Sequence, residues 1–306
     1  METQTTLTTR LNGLVQLTRW QEHVPFVVPL TIMGALLALK SLSNGAGVDL
    51  RLVAVTAANL LVVAYAFMIN DIEDAPDDAL DPKRAARNPI TSGTISVRMG
   101  YNACRLVAII TLVLYAMGGG LVFIIGGITL LLSHLYSWKP VRLKAYPITD
   151  IVSHSLMLSG LLLLAGYFTY HTEPGIAWFV AAGVTLWSVY GQLYNQLRDY
   201  DMDVAAGLKN TTIILGPRNT QIAVWMTIAL AVVCLVVAIA LGAFPVWLAA
   251  AAGVGIAISA IFRPKADLRG YTEMAKSASV QIRGLIVFNI IMIAWLAAVL
   301  LTQITR

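Results

Sequence analysis

The stretch LVAVTAANLLVVAYAFMINDIEDAPDD, residues 52–78, joins an apolar segment to a dense group of acids. Its first part, Leu52–Met68, carries no charged side chain. That part approaches the length of about 20 residues that a helix needs to cross the hydrocarbon core of a bilayer. The second part, residues 70–78, contains five carboxylates. The stretch therefore predicts a membrane-spanning helix that ends in an acidic cluster at the membrane surface.

The composition of the whole chain also indicates a membrane protein. Of its 306 residues, 58% are hydrophobic and 12% are charged, and the mean hydropathy is +0.75. Soluble domains carry about 25% charged residues, so a soluble enzyme is excluded. The basic pI of about 9.2 does not imply a nucleic-acid partner. Basic loops of membrane proteins lie against an anionic inner leaflet, which explains the excess of Lys and Arg.

Nine apolar segments have the composition of membrane helices. We predict an all-α integral membrane protein, a bundle of nine transmembrane helices with cytoplasmic cap loops, in a single domain over residues 1–306. The polar start of the chain is not typical of a cleaved signal, so the first apolar run is expected to be a permanent helix. Glycines 118–120 predict a tight hairpin. The predicted helices are Val24–Leu39, Leu52–Met68, Cys104–Met117, Leu121–Tyr136, Ile151–Tyr170, Trp178–Tyr194, Ile222–Leu241, Val246–Ile261 and Leu285–Leu301.

The placement of Lys and Arg predicts the orientation. With a cytoplasmic N-terminus, 18 of the 21 basic residues fall on the cytoplasmic side, and only Lys40, Arg51 and Arg306 fall outside. The positive-inside rule therefore selects N-in and C-out, which requires an odd number of crossings. Both acidic clusters then face the cytoplasm, and the cytoplasmic membrane is the expected location.

Acidic residues are concentrated in two short regions. Nine of the 16 Asp and Glu residues lie in residues 71–81 and 199–203. Side chains four residues apart share one face of a helix if that helix continues beyond its apolar part. The alternative to a functional site is a hydrated surface on which these acids pair with neighbouring Lys and Arg. Two matching clusters in one chain make that alternative less favoured. The residues at this spacing are Asn70, Asp74 and Asp78 in the first region and Asp199 and Asp203 in the second.

The chemistry of these side chains indicates a hard divalent cation. Crowded carboxylates repel one another unless a cation neutralises them, and oxygen ligands favour Mg²⁺. Mg²⁺ usually binds one or two carboxylates together with phosphate oxygens, so a phosphorylated ligand is expected. Basic residues that can contact phosphate interleave with the acids: Lys83, Arg84, Arg87, Arg198 and Lys209.

Three motifs resemble those of the UbiA superfamily of intramembrane prenyltransferases. They are Asn70-Asp71-x-x-Asp74-x-x-x-Asp78, Arg87-Asn88-Pro89-Ile90-Thr91-Ser92-Gly93 and Arg198-Asp199-x-x-x-Asp203-x-x-x-Gly207-x-Lys209-x-Thr211. The resemblance implies nine helices, a cytoplasmic N-terminus, Mg²⁺ as cofactor and a polyprenyl diphosphate donor whose chain lies in a lateral opening to lipid. The metal ligands that it implies are Asn70, Asp71, Asp74, Asp78, Asp199 and Asp203.

One position departs from the family pattern. Many members carry Tyr-x-x-x-Lys after the fourth helix, whereas here Tyr136 is followed by Pro140 where that lysine would be. Lys139, Arg142 or Lys144 is expected to replace it. The form Tyr-Ser-x-x-Pro-x-Arg-Leu-Lys is more similar to members with lipid-like or tetrapyrrole acceptors than to the hydroxybenzoate enzymes. The implied diphosphate contacts are Lys83, Arg87, Lys139, Arg142, Lys144, Arg198 and Lys209.

The expected reaction is Mg²⁺-dependent transfer of a polyprenyl group from an allylic polyprenyl diphosphate to a lipophilic acceptor. Loss of diphosphate leaves a carbocation, which an apolar interior protects from water until the acceptor captures it. Aromatic faces can stabilise such a cation, although aromatic residues near a membrane rim more often serve packing. The candidates for cation stabilisation or for the pocket are Tyr136, Tyr190, Tyr194 and Asn195.

Other functions would use part of the same pattern. A membrane terpene cyclase of the same superfamily would bind the same diphosphate and capture the cation with the substrate's own double bonds, and a carotenoid-elongating enzyme would use a long polyene as acceptor. A transporter is disfavoured, because no ionisable cluster is evident in the middle of an apolar segment. Membrane lipids are expected partners, and no obligatory protein partner is evident. The sequence leaves the acceptor, the donor length and the oligomeric state open.

Overall fold

The computed structural model describes residues 6–42, 47–173, 175–205, 207–261 and 276–305. In these ranges the chain is helical or irregular, without a β-strand. A 3-10 turn at Leu143–Ala145 and a π-helical turn at Leu156–Gly160 accompany the α-helices. The α-helices are α1 Leu7–Leu17, α2 Trp20–Ser41, α3 Leu50–Asp78, α4 Pro82–Arg87, α5 Val97–Gly118, α6 Gly120–Ser137, α7 Thr149–Ser155, α8 Leu161–Phe168, α9 Ala177–Arg198, α10 Tyr200–Ala205, α11 Thr211–Ala240, α12 Leu248–Ile261 and α13 Lys276–Ile304.

The predicted membrane segments all coincide largely with helices. Among the described residues, seven helical stretches are long and apolar enough to cross a bilayer, one of them formed by α7 and α8 together as Thr149–Phe168. Helix α9, which contains the sixth predicted segment, does not meet that standard, and α12 has only 14 residues. The all-helical membrane architecture is therefore confirmed, and the count of nine crossings stays a prediction.

The predicted glycine hairpin is present between α5 and α6. Helix α5 ends at Gly118 and α6 begins at Gly120, so a single residue connects them. Gly119 has φ of 118° and ψ of 171°, a conformation that strongly favours glycine. The sequence prediction of a tight turn is confirmed here.

The centre of the bundle is a close crossing of α2 and α8. A methyl group added at Gly34 would lie 2.0 Å from the carbonyl oxygen of Leu163, and one added at Gly166 would lie 2.1 Å from that of Thr31. Only glycine therefore permits this approach. Small residues at such contacts are typical of membrane helices, which gain stability from tight packing rather than from exclusion of water.

A buried polar network fixes the neighbours of this crossing. The Nδ2 of Asn59 donates to the Oγ1 of Thr31 at 2.7 Å and to the carbonyl oxygen of Leu162 at 3.0 Å. Its Oδ1 accepts a hydrogen bond of 2.7 Å from the hydroxyl of Tyr115. Asn59, Thr31 and Tyr115 are all fully buried. One asparagine on α3 thus connects α2, α5 and α8 with its donors and acceptor satisfied, as an apolar environment requires.

The polar connections between helices fall at two opposite ends of the bundle. One end contains α1, the start of α2, and the ends of α3, α6 and α9, joined by ion pairs such as Arg19–Asp71 and Arg142–Asp74. The other end contains Lys40, which donates to the carbonyl oxygen of Gly242, and Arg51, which pairs with Asp49. We call the first the acidic end. Both acidic regions lie there.

Candidate active site

Helix α3 continues through the first acidic region and ends only at Asp78. The condition for a shared helical face is therefore met, because Asn70, Asp74 and Asp78 lie four residues apart on one helix. All three are partly buried, whereas Asp77 is exposed. The expectation that these three side chains line one face is confirmed.

Lys144 reaches this face from the connection between α6 and α7. Its Nζ donates to the Oδ1 of Asn70 at 2.9 Å and to the Oδ2 of Asp74 at 2.5 Å. Burial, opposed by the charge of Asp74, lowers the pKa of the Lys144 ammonium. A single cation thus already bridges two of the proposed metal ligands.

Arg142 adds a second positive charge to the same carboxylate. Its Nη2 lies 3.1 Å from the Oδ1 of Asp74 and 2.9 Å from the Oδ2 of Asp77. Burial acts to lower the pKa of Arg142, but the hydrogen bonds and charges of Asp77 and Asp74 outweigh it and raise that pKa. Of the cations considered as replacements for the family lysine, the structure therefore brings Lys144 and Arg142 to Asp74.

Glu73 anchors the same connection from the neighbouring face of α3. Its Oε2 accepts from the backbone N–H of Lys139 at 3.1 Å, and its Oε1 accepts from the hydroxyl of Tyr101 at 2.6 Å. Ser137 donates to the Oδ1 of Asn70 at 2.9 Å. Neither Glu73 nor Ser137 was predicted to have a role from the sequence. The structure attaches Lys139 to α3 through its backbone.

Asp71 and Arg87 lie in a different cleft from Asp74. Asp71 is buried and forms a two-pronged ion pair with Arg19, and Arg87 pairs with Glu22. These four side chains line a cavity of about 400 Å³ beside α1 and the start of α2. The structure thus does not place Asp71 and Arg87 on the face that Lys144 contacts.

Asp78 is held by the residue after α4. Its Oδ2 accepts from the Nδ2 of Asn88 at 2.9 Å, and the same amide donates to the carbonyl oxygen of Asp71 at 2.7 Å. Asn88 is almost fully buried. The motif that begins at Arg87 therefore packs back on the first acidic region.

The second acidic region begins at Asp199, directly after α9, and continues into α10. The backbone N–H of Asp203 donates to the carbonyl oxygen of Asp199 at 2.9 Å, which confirms the helical relation of these two residues. Arg198 forms two hydrogen bonds to Asp199, and Asn210 donates to the Oδ2 of Asp203 at 2.7 Å. Burial raises the pKa of Asp203, and the charge of Asp199 adds to that rise.

The two acidic regions lie at the same end of the bundle and are connected indirectly through neighbouring residues. Arg84 of α4 lies close enough to Asp203 for its charge to oppose the rise of the Asp203 pKa. On the other side, the hydroxyl of Tyr136 accepts a hydrogen bond of 3.4 Å from the Nε2 of Gln192 on α9. The same hydroxyl lies within electrostatic range of Asp74. The charge of Arg84 therefore acts on the second acidic region, although Arg84 follows the first one in the sequence.

The other predicted residues surround this arrangement. The rings of Tyr190 and Tyr194 on α9 are tilted by 51° with centres 6.2 Å apart, and the Tyr136 ring lies 6.0 Å from that of His154. The carbonyl oxygen of Asn195 accepts from the backbone N–H of Asp199. Lys83 and Lys209 are exposed at the same end of the bundle.

The donor atoms fit a hard cation. They are amide and carboxylate oxygens, and the Lys144 ammonium marks a position where Asn70 and Asp74 already bind a positive charge. Within the described residues, His, Cys, Asp and Glu form no ready cluster of three.

A model of the UbiA prenyltransferase family matches residues 27–280. This chain belongs to the UbiA prenyltransferase family. A UbiA homolog from Archaeoglobus fulgidus, bound to GPP and Mg²⁺, has a similar structure. Its TM-score is 0.71 at 20% sequence identity, over 94% of this chain and 99% of that one. A UbiA homolog from Aeropyrum pernix gives 0.64 at 18% identity, over 92% and 97%. The UbiA fold is thus established for this chain.

The curated relatives of this chain carry two different names. The chain is 29% identical to the 4-hydroxybenzoate octaprenyltransferase of Pseudomonas fluorescens strain SBW25 over 236 residues, 76% of each chain. It is 28% identical to the lycopene elongase/hydratase of Haloferax volcanii, over 62% of this chain and 63% of that one. The match to the lycopene elongase/hydratase of Haloarcula japonica, also 28% identical, spans only about half of each chain, 51%.

Proposed function

We propose that this UbiA family member catalyses Mg²⁺-dependent transfer of a polyprenyl group from an allylic polyprenyl diphosphate to a lipophilic acceptor. The observation that carries the proposal is the convergence of Lys144 and Arg142 on Asp74, at the same end of the bundle as the Asp199–Asp203 turn. Alternating acids and bases at one end of an apolar bundle suit a ligand with a charged diphosphate and an apolar tail.

Two sets of oxygen ligands would hold Mg²⁺ in this proposal. Asn70, Asp74 and Asp78 form the first, and Asp199 and Asp203 form the second. Asp71 was also implied by the resemblance, but its ion pair with Arg19 argues for a structural role. When bound, Mg²⁺ would stabilise the negative charge that develops on the departing diphosphate.

The basic side chains would contact the diphosphate oxygens that the metal leaves free. Lys144 and Arg142 both contact Asp74, so their charges neutralise this carboxylate before a ligand arrives, and the charge of Arg84 acts on Asp203. A diphosphate brings its own negative charge, so these cations can then move their hydrogen bonds to it. The other cations would have secondary roles: Lys83, Lys139 and Lys209 are exposed, Arg87 lies in the other cleft, and Arg198 is already paired with Asp199.

Below the charged rim, the residues can support an allylic cation. Cleavage of the C1–O bond releases the diphosphate with its electron pair, and the acceptor then bonds to C1 and loses a proton. Tyr136 near the end of α6, and Tyr190 and Tyr194 in the last turns of α9, carry aromatic rings near the acidic end, where π faces would stabilise the positive charge. The surrounding helices exclude water that would otherwise capture it.

The relatives point to two classes of acceptor. The octaprenyltransferase from Pseudomonas fluorescens is named for an aromatic acid, 4-hydroxybenzoate. The elongase/hydratases from Haloferax and Haloarcula are named for a carotenoid, lycopene. Transfer to a long polyene is therefore the second candidate function. A terpene cyclase would use the same carboxylates without an external acceptor.

We also propose that the protein resides in the cytoplasmic membrane and crosses it nine times. The acidic end then faces the cytoplasm. The structure separates Lys40 and Arg51, at one end, from most of the described Lys and Arg, at the other. The bias supports N-in and C-out through the positive-inside rule. The basic residues at 263, 265 and 269 lie outside the described residues.

The decisive experiment uses purified protein in lipid with geranyl, farnesyl and geranylgeranyl diphosphates, with or without Mg²⁺. A membrane lipid extract, 4-hydroxybenzoate and lycopene are supplied as separate acceptors, and mass spectrometry identifies the products. We expect Mg²⁺-dependent addition of a prenyl unit to one acceptor. A cyclic hydrocarbon formed without acceptor would establish the cyclase instead, and no turnover of any diphosphate would contradict the proposal.

A further inference from the structure

Asp150, near the start of α7, is a fully buried carboxylate surrounded by hydrogen-bond donors. Its Oδ1 accepts from the Oγ1 of Thr211 at 2.6 Å and from the backbone N–H of Ile151 at 2.8 Å. Its Oδ2 accepts from the Nε2 of Gln196 at 2.7 Å and from the backbone N–H of Thr211 at 2.9 Å. A buried carboxylate needs such partners, and these four donors are all neutral.

Two further hydrogen bonds fix the direction of this network. The Oγ1 of Thr211 accepts from the backbone N–H of Ile148 at 2.7 Å, so its own proton points to Asp150. The Oε1 of Gln196 accepts from the backbone N–H of Thr212 at 3.2 Å, so its amide NH₂ points to Asp150. Asp150 therefore serves only as an acceptor, and neither neighbour can turn around without losing another bond.

The network joins the three segments that carry the proposed site. The connection before Asp150 carries Lys144, which contacts Asp74. Gln196 lies one turn before Asp199 on α9. Thr211 follows Asn210, which holds Asp203. Asp150 thus connects the cations bound to the first acidic region with both carboxylates of the second.

We propose that Asp150 is a positioning residue that sets the separation of the two acidic regions, and with it the spacing of the carboxylates that face the donor diphosphate. We call the hydrogen-bond network around Asp150 the clamp. Its significance for catalysis rests on the proposed function, whereas the existence of the clamp does not. An aspartate is required at this position because an asparagine of the same shape would direct an NH₂ group at other donors.

Asp150→Asn is therefore the sharpest test, since it changes hydrogen-bond direction without changing volume. A second change, Gln196→Glu, gives the new NH₂ group an acceptor and should restore part of the network. Ser159→Ala is the matched control. It removes a hydrogen bond of 2.9 Å to the carbonyl oxygen of Val184, which also reaches α9 but far from the acidic end.

Distances between two spin labels report the clamp directly. Tyr146→Cys and Val204→Cys place labels on exposed positions, 59% and 49% accessible, on either side of the network. Cys104→Ala and Cys234→Ala remove the native thiols. We expect one narrow distance distribution in the parent and in Ser159→Ala, a broader one in Asp150→Asn, and partial narrowing when Gln196→Glu is added. An unchanged distribution in Asp150→Asn would overturn the proposal.

Binding of geranyl thiolodiphosphate, a donor analogue that resists cleavage, links the clamp to the site. We expect the Mg²⁺ concentration for half-maximal binding to rise about tenfold in Asp150→Asn and to recover in part with Gln196→Glu. A role in stability alone would lower the melting temperature without moving that concentration, and would also overturn the proposal. If the parent binds no analogue while the distances still respond, the proposed function fails and the clamp stands.

If Asp150→Asn does not fold, the spin-label distances and the Mg²⁺ dependence of analogue binding are measured on Thr211→Val instead. This variant removes one of the four donors and leaves the carboxylate in place. A smaller broadening and a smaller shift in Mg²⁺ dependence are then expected. Parent-like behaviour in both measurements would count against the clamp.

Discussion

At the scale of single residues, the connection between α6 and α7 shows how the surroundings select among similar side chains. Lys139, Arg142 and Lys144 are equivalent candidates in the sequence. In the structure, Lys144 reaches Asn70 and Asp74, Arg142 reaches Asp74 and Asp77, and Lys139 is bound to Glu73 through its backbone. Distance along the chain from Tyr136 does not decide the role, because the turn at Leu143–Ala145 brings Lys144 back to α3.

Lys144→Met tests this selection. A charge-assisted hydrogen bond contributes about 1.5–3 kcal/mol, so we expect the KM for the prenyl diphosphate to rise about tenfold or more. Lys139→Met is the matched control and should change KM less than about threefold, because the backbone contact survives. Steady-state kinetics on both variants give the answer. Equal effects would mean that proximity to Asp74 does not determine the diphosphate contact.

Asp74→Ala tests the metal ligands. Loss of a ligand that stabilises the departing charge should lower turnover by about 10²-fold or more, while the protein stays folded in the membrane. Asp201→Asn serves as the control, since Asp201 is exposed and off the face shared by Asp199 and Asp203. Product formation at several Mg²⁺ concentrations separates the two variants. Parent-like turnover in Asp74→Ala would remove this residue from the site.

At the scale of elements, helix packing depends on where glycines fall. Gly34 and Gly166 permit α2 and α8 to approach at backbone distance, whereas Gly127 on α6 has open space around it. All three lie in apolar helices, and their surroundings in the sequence look alike. The helix pair that each glycine faces is a property of the folded bundle.

Gly34→Ala should therefore destabilise the protein more than Gly127→Ala. The new methyl group would lie 2.0 Å from a backbone oxygen, so α2 and α8 must separate, at a cost of about 1–3 kcal/mol. At Gly127 a methyl group meets no atom within 4 Å, and alanine also favours the helix. Thermal unfolding in detergent compares the variants. A melting temperature lower for Gly127→Ala than for Gly34→Ala would contradict the close crossing.

At the scale of the whole molecule, the bundle separates its charges between two ends. The acidic end carries the paired acids and bases, and the opposite end carries short connections with Lys40 and Arg51. Between them, the outer faces of α5, α11 and α13 expose apolar side chains such as Ile109, Val233 and Ile293, as contact with hydrocarbon requires. The molecule therefore has two distinct polar ends and one apolar belt.

Cysteine accessibility tests the orientation of these ends. Leu80 lies at the acidic end and is 87% exposed, and Val246 follows the connection at the opposite end and is 92% exposed. In a background without Cys104 and Cys234, a membrane-impermeant thiol reagent should label Leu80→Cys from the cytoplasmic side and Val246→Cys from the outer side. Labelling of intact cells and inverted vesicles gives both results. The reverse pattern would refute N-in and C-out.

The sequence by itself determined the membrane class, the helical architecture and the two acidic regions. Long apolar runs can satisfy their backbone groups in a bilayer only as helices here, and the four-residue spacing of the acids is a local property of each helix. These features depend on neighbours along the chain, so composition and spacing reveal them. The motifs also indicated the family correctly.

Only the tertiary structure decided which side chains meet. It placed Asp71 with Arg19 instead of Lys144, brought Lys144 to Asp74, and buried Asp150 among donors from three segments. Partners as far apart as Asp150 and Thr211 are joined by the packing of α7, α9 and α11. Hydrogen bonds act over about 3 Å, so their pairing depends on how helices approach in space, which no local pattern encodes.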